Sequence, residues 1–298
     1  MLKLFLMLSL ILLFASFIDC KKVVITGAAG RTGSIIMQKL AGRNDSHQVL
    51  GLTRTDKSAK QLLKSLKSLK SQGNNRVDVQ TCDITDPNAL AASLKDADTV
   101  ILCTSAVPKI KPFSIIKLLV KKLFKKQGRP EFRFINNGDP YTIDWLGAKN
   151  QIDQANKAGV KQFIFLSSMG GTQPENFLNT IGRIEGDDKS GNILLWKRKA
   201  EKYLIDSGIT YTIIHPGGLL DQPGGKREII TGVDDVLLKR EVRSIPRSDV
   251  ASVCVESISN PGAVNKSFDI IGGVEQDVEE VNTDWNTLFS SVGNCKYD

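Results

Sequence analysis

The stretch VVITGAAGRTG, residues 23–33, constrains the fold of this chain more than any other. Val23, Val24 and Ile25 suit a strand covered on both faces, and glycines follow at Gly27, Gly30 and Gly33. A chain turning from a buried strand into a helix exposes backbone N–H groups at the positive end of the helix dipole. A pyrophosphate can settle there only if side chains do not intervene. The three glycines then supply a turn, a close backbone approach and tight helix packing. The spacing is G-x-x-G-x-x-G, not the common G-x-G-x-x-G, so the flanking strand and helix carry the reading of a dinucleotide site.

The rest of the chain supports that frame. Continuously apolar runs predict strands over Lys22–Thr26, Gln48–Thr53, 77–82, 99–103, Gln162–Leu166 and 210–214. Helical patterns start near Arg31, Lys57, Pro87, Gly147 and Asn192, giving strand–helix alternation and a doubly wound, parallel Rossmann-like α/β sheet. Two long segments, 106–141 and 168–191, interrupt the rhythm at the carboxyl edge, where long loops commonly act as lids. Beyond Pro216 the pattern is irregular, with a helix from Ser248, a strand near Phe268 and a last helix near Trp285. These predict a small substrate-side lobe within one domain spanning 21–298.

The second strand ends in GLTRTD, with Arg54 at the tip. An NAD site usually carries an acidic residue there for the ribose hydroxyls, whereas a guanidinium can pair bidentately with a 2′-phosphate. Arg31 adds a second positive charge inside the glycine loop, so NADP(H) is the expected cofactor.

Forty Lys plus Arg against 32 Asp plus Glu leave a net charge of +8, which alone would suit nucleic acid, an anionic membrane or a phosphorylated small molecule. Much of the excess sits in two runs, KSAKQLLKSLKSLK (57–70) and KLLVKKLFKKQGR (117–129), whose leucines recur at helical spacing. Solvated helix faces are expected and no nucleic-acid partner, with a membrane-surface or partner helix as the sharper alternative for the second run. The five cysteines are scattered without a C-x-x-C pair or a histidine at ligand spacing, so neither a metal site nor a disulfide framework is predicted. Residues 1–20, MLKLFLMLSLILLFASFIDC, read as a secretory signal or membrane anchor, with a mistaken start as the rival. The first reading implies the secretory pathway or membrane association, and the second a cytoplasmic or plastid protein.

The ordered segments TGAAGRTG, CDITD, CTSAVPK, DWLGAKNQID, AGVKQFIFLSSMGGT, LLWKRKAEKYLIDSGITYTIIHPGGLLD and RSDVA resemble the atypical short-chain dehydrogenase/reductases. The similarity is to the NmrA-like NAD(P)-binding branch and its plant-type NADP-binding proteins, over about residues 22–271. The resemblance implies that Gly27, Ala29, Gly30, Arg31, Thr32 and Gly33 hold the pyrophosphate and Arg54 the 2′-phosphate. It implies further that Asp83 and Ile84 flank the adenine, and that Thr104, Ser105 and Ala106 line the nicotinamide ribose side. Ser167, Ser168 and Met169 would face the nicotinamide, and Pro216, Gly217 and Gly218 would form the loop beyond the sixth strand.

In this superfamily a tyrosine four residues before a lysine donates the proton while hydride moves, and the lysine lowers the tyrosine pKa and holds the ribose. Within KRKAE the lysine is Lys197, and four residues earlier stands Ile193, which can neither donate nor accept a proton. Ser168, His215 and Asp221 are the substitute candidates, and Lys197 and Ser168 the catalytic pair if there is one. An NADP(H)-dependent oxidoreductase of an unnamed small-molecule substrate is expected. A nonenzymatic NADP(H)-binding redox sensor is the alternative, and an epimerase-like activity a distant third.

Overall fold

The computed structural model describes residues 20–69, 73, 76–111, 113–114, 131–134 and 138–297. Residues 1–19 of the expected leader and the second lysine-rich run lie outside the described residues. The predicted alternation is present: β1 (Lys22–Thr26), α1 (Arg31–Ala41), β2 (Gln48–Thr53), α2 (Asp56–Leu66), β3 (Arg76–Thr81), α3 (Pro87–Leu94) and β4 (Thr99–Leu102). After β4 come a two-residue-per-strand hairpin, β5 (Lys109–Ile110) with β6 (Phe132–Arg133), and a helix that opens with a π-helical segment. That segment, Tyr141–Gly147, continues into α4 (Ala148–Lys157), so the helix expected near Gly147 starts six residues earlier. Then follow β7 (Gln162–Leu166), α5 (Ile193–Asp206), β8 (Tyr211–Pro216), β9 (Gly218–Leu220), β10 (Arg227–Gly232), β11 (Ser244–Pro246), α6 (Arg247–Glu256), β12 (Lys266–Glu275) and α7 (Trp285–Ser291).

Eight strands form one sheet in the order β10-β12-β8-β7-β4-β1-β2-β3, parallel throughout except for β10. The chain order reverses at β1, between β2 and β4, which makes the carboxyl end of β1 the crevice where such sheets take ligands. Val23, Ile25, Ile101, Ile164 and Ile214 pack on one face with α1, α2, α6 and α7. Val24, Val100, Leu102, Phe163, Phe165 and Ile213 pack on the other with α3, α4 and α5. Both faces being covered is why these strands read as unbroken apolar runs. β3 differs: it is the edge strand, and its side chains alternate between exposed and buried.

Two details refine the sequence reading. The strand expected near Phe268, β12, is the seventh parallel strand of the main sheet, and β10 closes that edge antiparallel. Pro216 ends β8 and Gly218 begins β9, which pairs with β11, so the expected loop is reduced to the single residue Gly217. Gly217 must be bare, because a Cβ there would stand 2.3 Å from the carbonyl oxygen of Arg243. The first lysine-rich run behaves as a solvated face: α2 buries Ala59, Leu62 and Leu66 and leaves Lys57, Lys60 and Lys64 exposed. No helix among the described residues is long and apolar enough to cross a membrane.

Candidate functional site

The parallel strands end along one edge, and the loops after β1, β2, β3, β4, β7 and β8 meet there. At the centre is the glycine turn. Gly27 has φ +66°, and a Cβ on it would lie 2.8 Å from the carbonyl oxygen of Cys103 at the end of β4. A Cβ on Gly33 would lie 2.3 Å from the Gly27 carbonyl oxygen, so the first turn of α1 packs directly on the turn before it. Gly30 caps α1 in extended backbone and donates its N–H to the Gly27 carbonyl at 2.8 Å. The helix start has neither a side-chain cap nor an acidic residue in its first turn, which leaves a positive helix end open to an anion. The residues present therefore fit a pyrophosphate-bearing dinucleotide.

Around this cradle the other expected residues take up separate stations. Arg54 is exposed at the end of β2, without an ion pair among the described residues. Asp56, two residues later in the chain, accepts a hydrogen bond from the Thr81 hydroxyl at 2.5 Å. Arg31 reaches across to Asp221, 3.3 Å away after β9, and Asp221 is also held by Arg247 at 2.6 Å. Asp83 is exposed after β3 and accepts from the Thr85 N–H and hydroxyl at 2.9 and 2.8 Å, while Ile84 lies against Gly147 of the π-helical segment. Thr104 accepts from the Gln151 amide at 3.1 Å, Ser105 is exposed, and Ala106 is buried with its N–H donated to Asp144 at 3.1 Å.

That last bond leads to a group the sequence reading passed over. Asp144 and Lys197 form a buried ion pair, Oδ1 to Nζ 2.8 Å, with side chains 0 and 7% exposed. One carboxylate thus orients the lysine and anchors the loop after β4. The signal was present in DWLGAKNQID, because Asp144, Gly147, Ala148 and Gln151 follow the i, i+3, i+4, i+7 spacing of a buried helix face. Cys103, close to Lys197, is pushed up to about 12 by burial, against a small opposing effect of the lysine charge, so it stays a neutral thiol. Ile193 does occupy the first position of α5, one turn before Lys197.

Tyrosines elsewhere do not replace it. Tyr211 opens β8 and so lies at the opposite edge of the sheet, Tyr203 donates to Asp153, and Tyr297 donates to Glu201 at 3.1 Å. Tyr141 opens the π-helical segment after the β5–β6 hairpin, its ring edge-on to Trp196 at 4.9 Å.

The loop after β7 is committed largely to the interior. The Ser167 hydroxyl donates to Glu201, Ser168 donates to the Met169 carbonyl at 3.1 Å, and Met169 packs with Leu237 and Ile271. Behind it runs a buried polar chain that the sequence did not reveal. Glu201 Oε2 lies 3.2 Å from His215 Nε2, and His215 Nδ1 lies 3.2 Å from Asp269 Oδ1. Asp269 accepts the Asp235 N–H at 2.8 Å, and Asp235 in turn accepts from Gly170 N–H at 2.6 Å and Thr172 N–H at 2.8 Å. Burial works against the charge of Glu201, but the facing His215 charge and the Ser167 hydroxyl bond hold its carboxyl down at about 2. Burial likewise disfavours charge on His215, and the carboxylates of Glu201 and Asp269 outweigh it and raise the imidazole well above its usual value. With no metal bound, the two acids thus favour the charged form of His215.

The sequence and the fold both have relatives. Residues 27–261 match the NAD(P)H-binding family model. An uncharacterized chloroplastic protein of Arabidopsis thaliana is 42% identical over 91% of this chain and 75% of its own length. Sanguinarine reductase of Eschscholzia californica is 39% identical over 91% of this chain and 95% of its own. A Bacillus halodurans structure of the NAD-dependent epimerase/dehydratase type superposes with a TM-score of 0.62 at 19% identity, covering 91% of this chain and all of that one. With the glycine turn at the crevice of a mainly parallel sheet, these matches make the chain a member of the NAD(P)H-binding, atypical short-chain dehydrogenase/reductase family.

Proposed function

We propose that the protein is an NADP(H)-dependent reductase that passes hydride to a conjugated acceptor requiring no protein acid, of the aromatic iminium or quinone class. One observation carries this reading: Lys197 is retained, buried and oriented by Asp144, while the acid position one turn earlier is aliphatic Ile193. Hydride addition to a simple ketone generates an alkoxide that needs a proton in the transition state. An iminium cation becomes a neutral amine on the same addition, and a quinone becomes a delocalised, weakly basic anion. A site without the tyrosine loses little with such acceptors and a great deal with ketones.

NADPH bound here supplies the hydride; the chain's own residues bind and orient. The uncapped start of α1 and the bare glycine turn receive the diphosphate. Arg54 meets the 2′-phosphate, while Asp56, two residues on, has one carboxylate oxygen held by the Thr81 hydroxyl. Lys197 holds the nicotinamide ribose and Asp144 fixes Lys197. Ser168, whose hydroxyl already sits at this edge, is the candidate to hand a proton to a reduced quinone. Exposed Val107, Phe113, Phe177 and Ile184 lie on the long segments after β4 and β7, suiting an apolar, planar substrate. The two segments approach one another, since a Cβ on Gly182 would meet the Phe134 ring at 2.5 Å. The name of the relative sanguinarine reductase is in keeping with such a substrate.

The test is loss of NADPH absorbance with sanguinarine, a simple naphthoquinone, an aldehyde and an unactivated ketone. Turnover confined to the first two is expected, with NADPH preferred over NADH. Turnover of the ketone at a comparable rate would overturn the acceptor assignment. Tight NADPH binding with silence across the panel would point to a nonenzymatic redox sensor.

A further inference from the structure

We propose that His215 Nδ1, Asp269 Oδ1 and Cys295 Sγ form a binding site for a tetrahedral divalent cation of the zinc type. The three residues lie 54 and 26 positions apart along the chain, so no local spacing betrays them. The fold brings them together because Asp269 is the direct neighbour of His215 across β12 and β8, and the segment after α7 returns to lay Cys295 beside Ser267. All three are buried.

The donor atoms are 3.2 Å (His215 to Asp269), 3.7 Å (Cys295 to His215) and 3.8 Å (Cys295 to Asp269) apart. The circle through these atoms has a radius of about 2.1 Å, which places a cation near its centre at the usual distances of zinc to nitrogen, oxygen and sulfur ligands. Each ligand also has the outer support that protein metal sites use to fix orientation. His215 turns its other nitrogen to Glu201 at 3.2 Å, an atom that is buried and has no aligned hydrogen-bond partner. Asp269 accepts the Asp235 N–H with its second oxygen, and Cys295 Sγ accepts the Asp234 N–H at 3.5 Å. Arg198 lies 3.6 Å from Glu201. A divalent cation on thiolate, carboxylate and neutral imidazole carries no net charge, and the neighbouring Glu201–Arg198 pair adds none.

A partly open cavity of about 10 Å3, about the volume of one water molecule, is lined by His215, Asp269 and Cys295 together with Ser168, Thr172 and Asp234, and would supply the fourth ligand. The site adjoins the loop after β7 through the chain Asp269–Asp235–Gly170, so an occupied site would stiffen one wall of the substrate region.

The experiment uses the full chain, stripped with a chelator and reloaded with Zn2+ or Co2+. One equivalent of zinc should survive gel filtration, and the cobalt form should show tetrahedral visible bands with a near-ultraviolet thiolate-to-cobalt transition. Cys295→Ala should abolish that transition and lower zinc affinity at least 100-fold while still binding NADPH, which reports that it is folded. Glu201→Gln, which removes an outer support and no ligand, should weaken zinc about 10–100-fold. Failure of the wild-type chain to retain zinc, or retention by Cys295→Ala equal to wild type, would overturn the site. Neither result depends on whether any reductase substrate is found.

Discussion

Replacing Asp144 by Asn keeps the shape of the side chain and its bond to the Ala106 N–H but deletes the charge facing Lys197. The ion pair is 2.8 Å long with both side chains almost wholly out of water, so the ammonium left behind has neither a counter-charge nor a hydration shell. Breaking a buried pair from one side costs about 3–5 kcal/mol. For a chain of this size each kcal/mol lowers Tm by roughly 2 °C, giving an expected drop of roughly 6–10 °C. Lys197→Met should cost a similar amount by stranding the carboxylate. The double variant, with neither charge, should recover at least half of the summed loss, because a neutral pair of similar volume needs no desolvated ion. Urea unfolding of the four proteins, followed by tryptophan fluorescence, measures the coupling. A loss under about 1 kcal/mol for Asp144→Asn, or strictly additive losses in the double variant, would refute the reasoning.

Arg54→Ala should weaken NADPH at least 10-fold in calorimetry and leave NADH within about twofold, since only the 2′-phosphate meets the guanidinium. Gly33→Ala, which drives a methyl group against the Gly27 carbonyl 2.3 Å away, should abolish NADPH binding or markedly lower Tm. In the metal-free protein the two partners of the buried His215–Glu201 pair titrate in opposite senses. Glu201, with its pKa lowered from 4.5 to about 2, contributes stability that is full above about pH 4.5 and lost as pH falls toward 2. His215, whose value is raised, contributes stability that is full below about pH 6.5 and lost as pH climbs through the folded-state value. A urea midpoint that stays flat from pH 5 to 6.5 and declines on both sides is expected. A midpoint rising steadily above pH 7 would contradict it.

From the order of residues alone, the turn and its ligand class were legible. An apolar strand, bare glycines and a following helix meet within eleven residues, and local sterics and the helix dipole act over that distance. The exposed place of Arg54 at the end of β2, and of aliphatic Ile193 one turn before Lys197, was readable for the same reason, because both follow from position along a single element. Burial on two faces wrote itself into the central strands as unbroken apolar runs, so six of the eight strands of the sheet could be anticipated, while β10 and the place of β12 could not. Three-dimensional packing decided the rest. Asp144 finds Lys197, and His215 finds Glu201, Asp269 and Cys295, only when helices and strands far apart in the chain are laid side by side. A charge buried in that way carries no local periodicity to announce its partner. Its cost in a low-dielectric interior is met by groups that tertiary structure alone can supply.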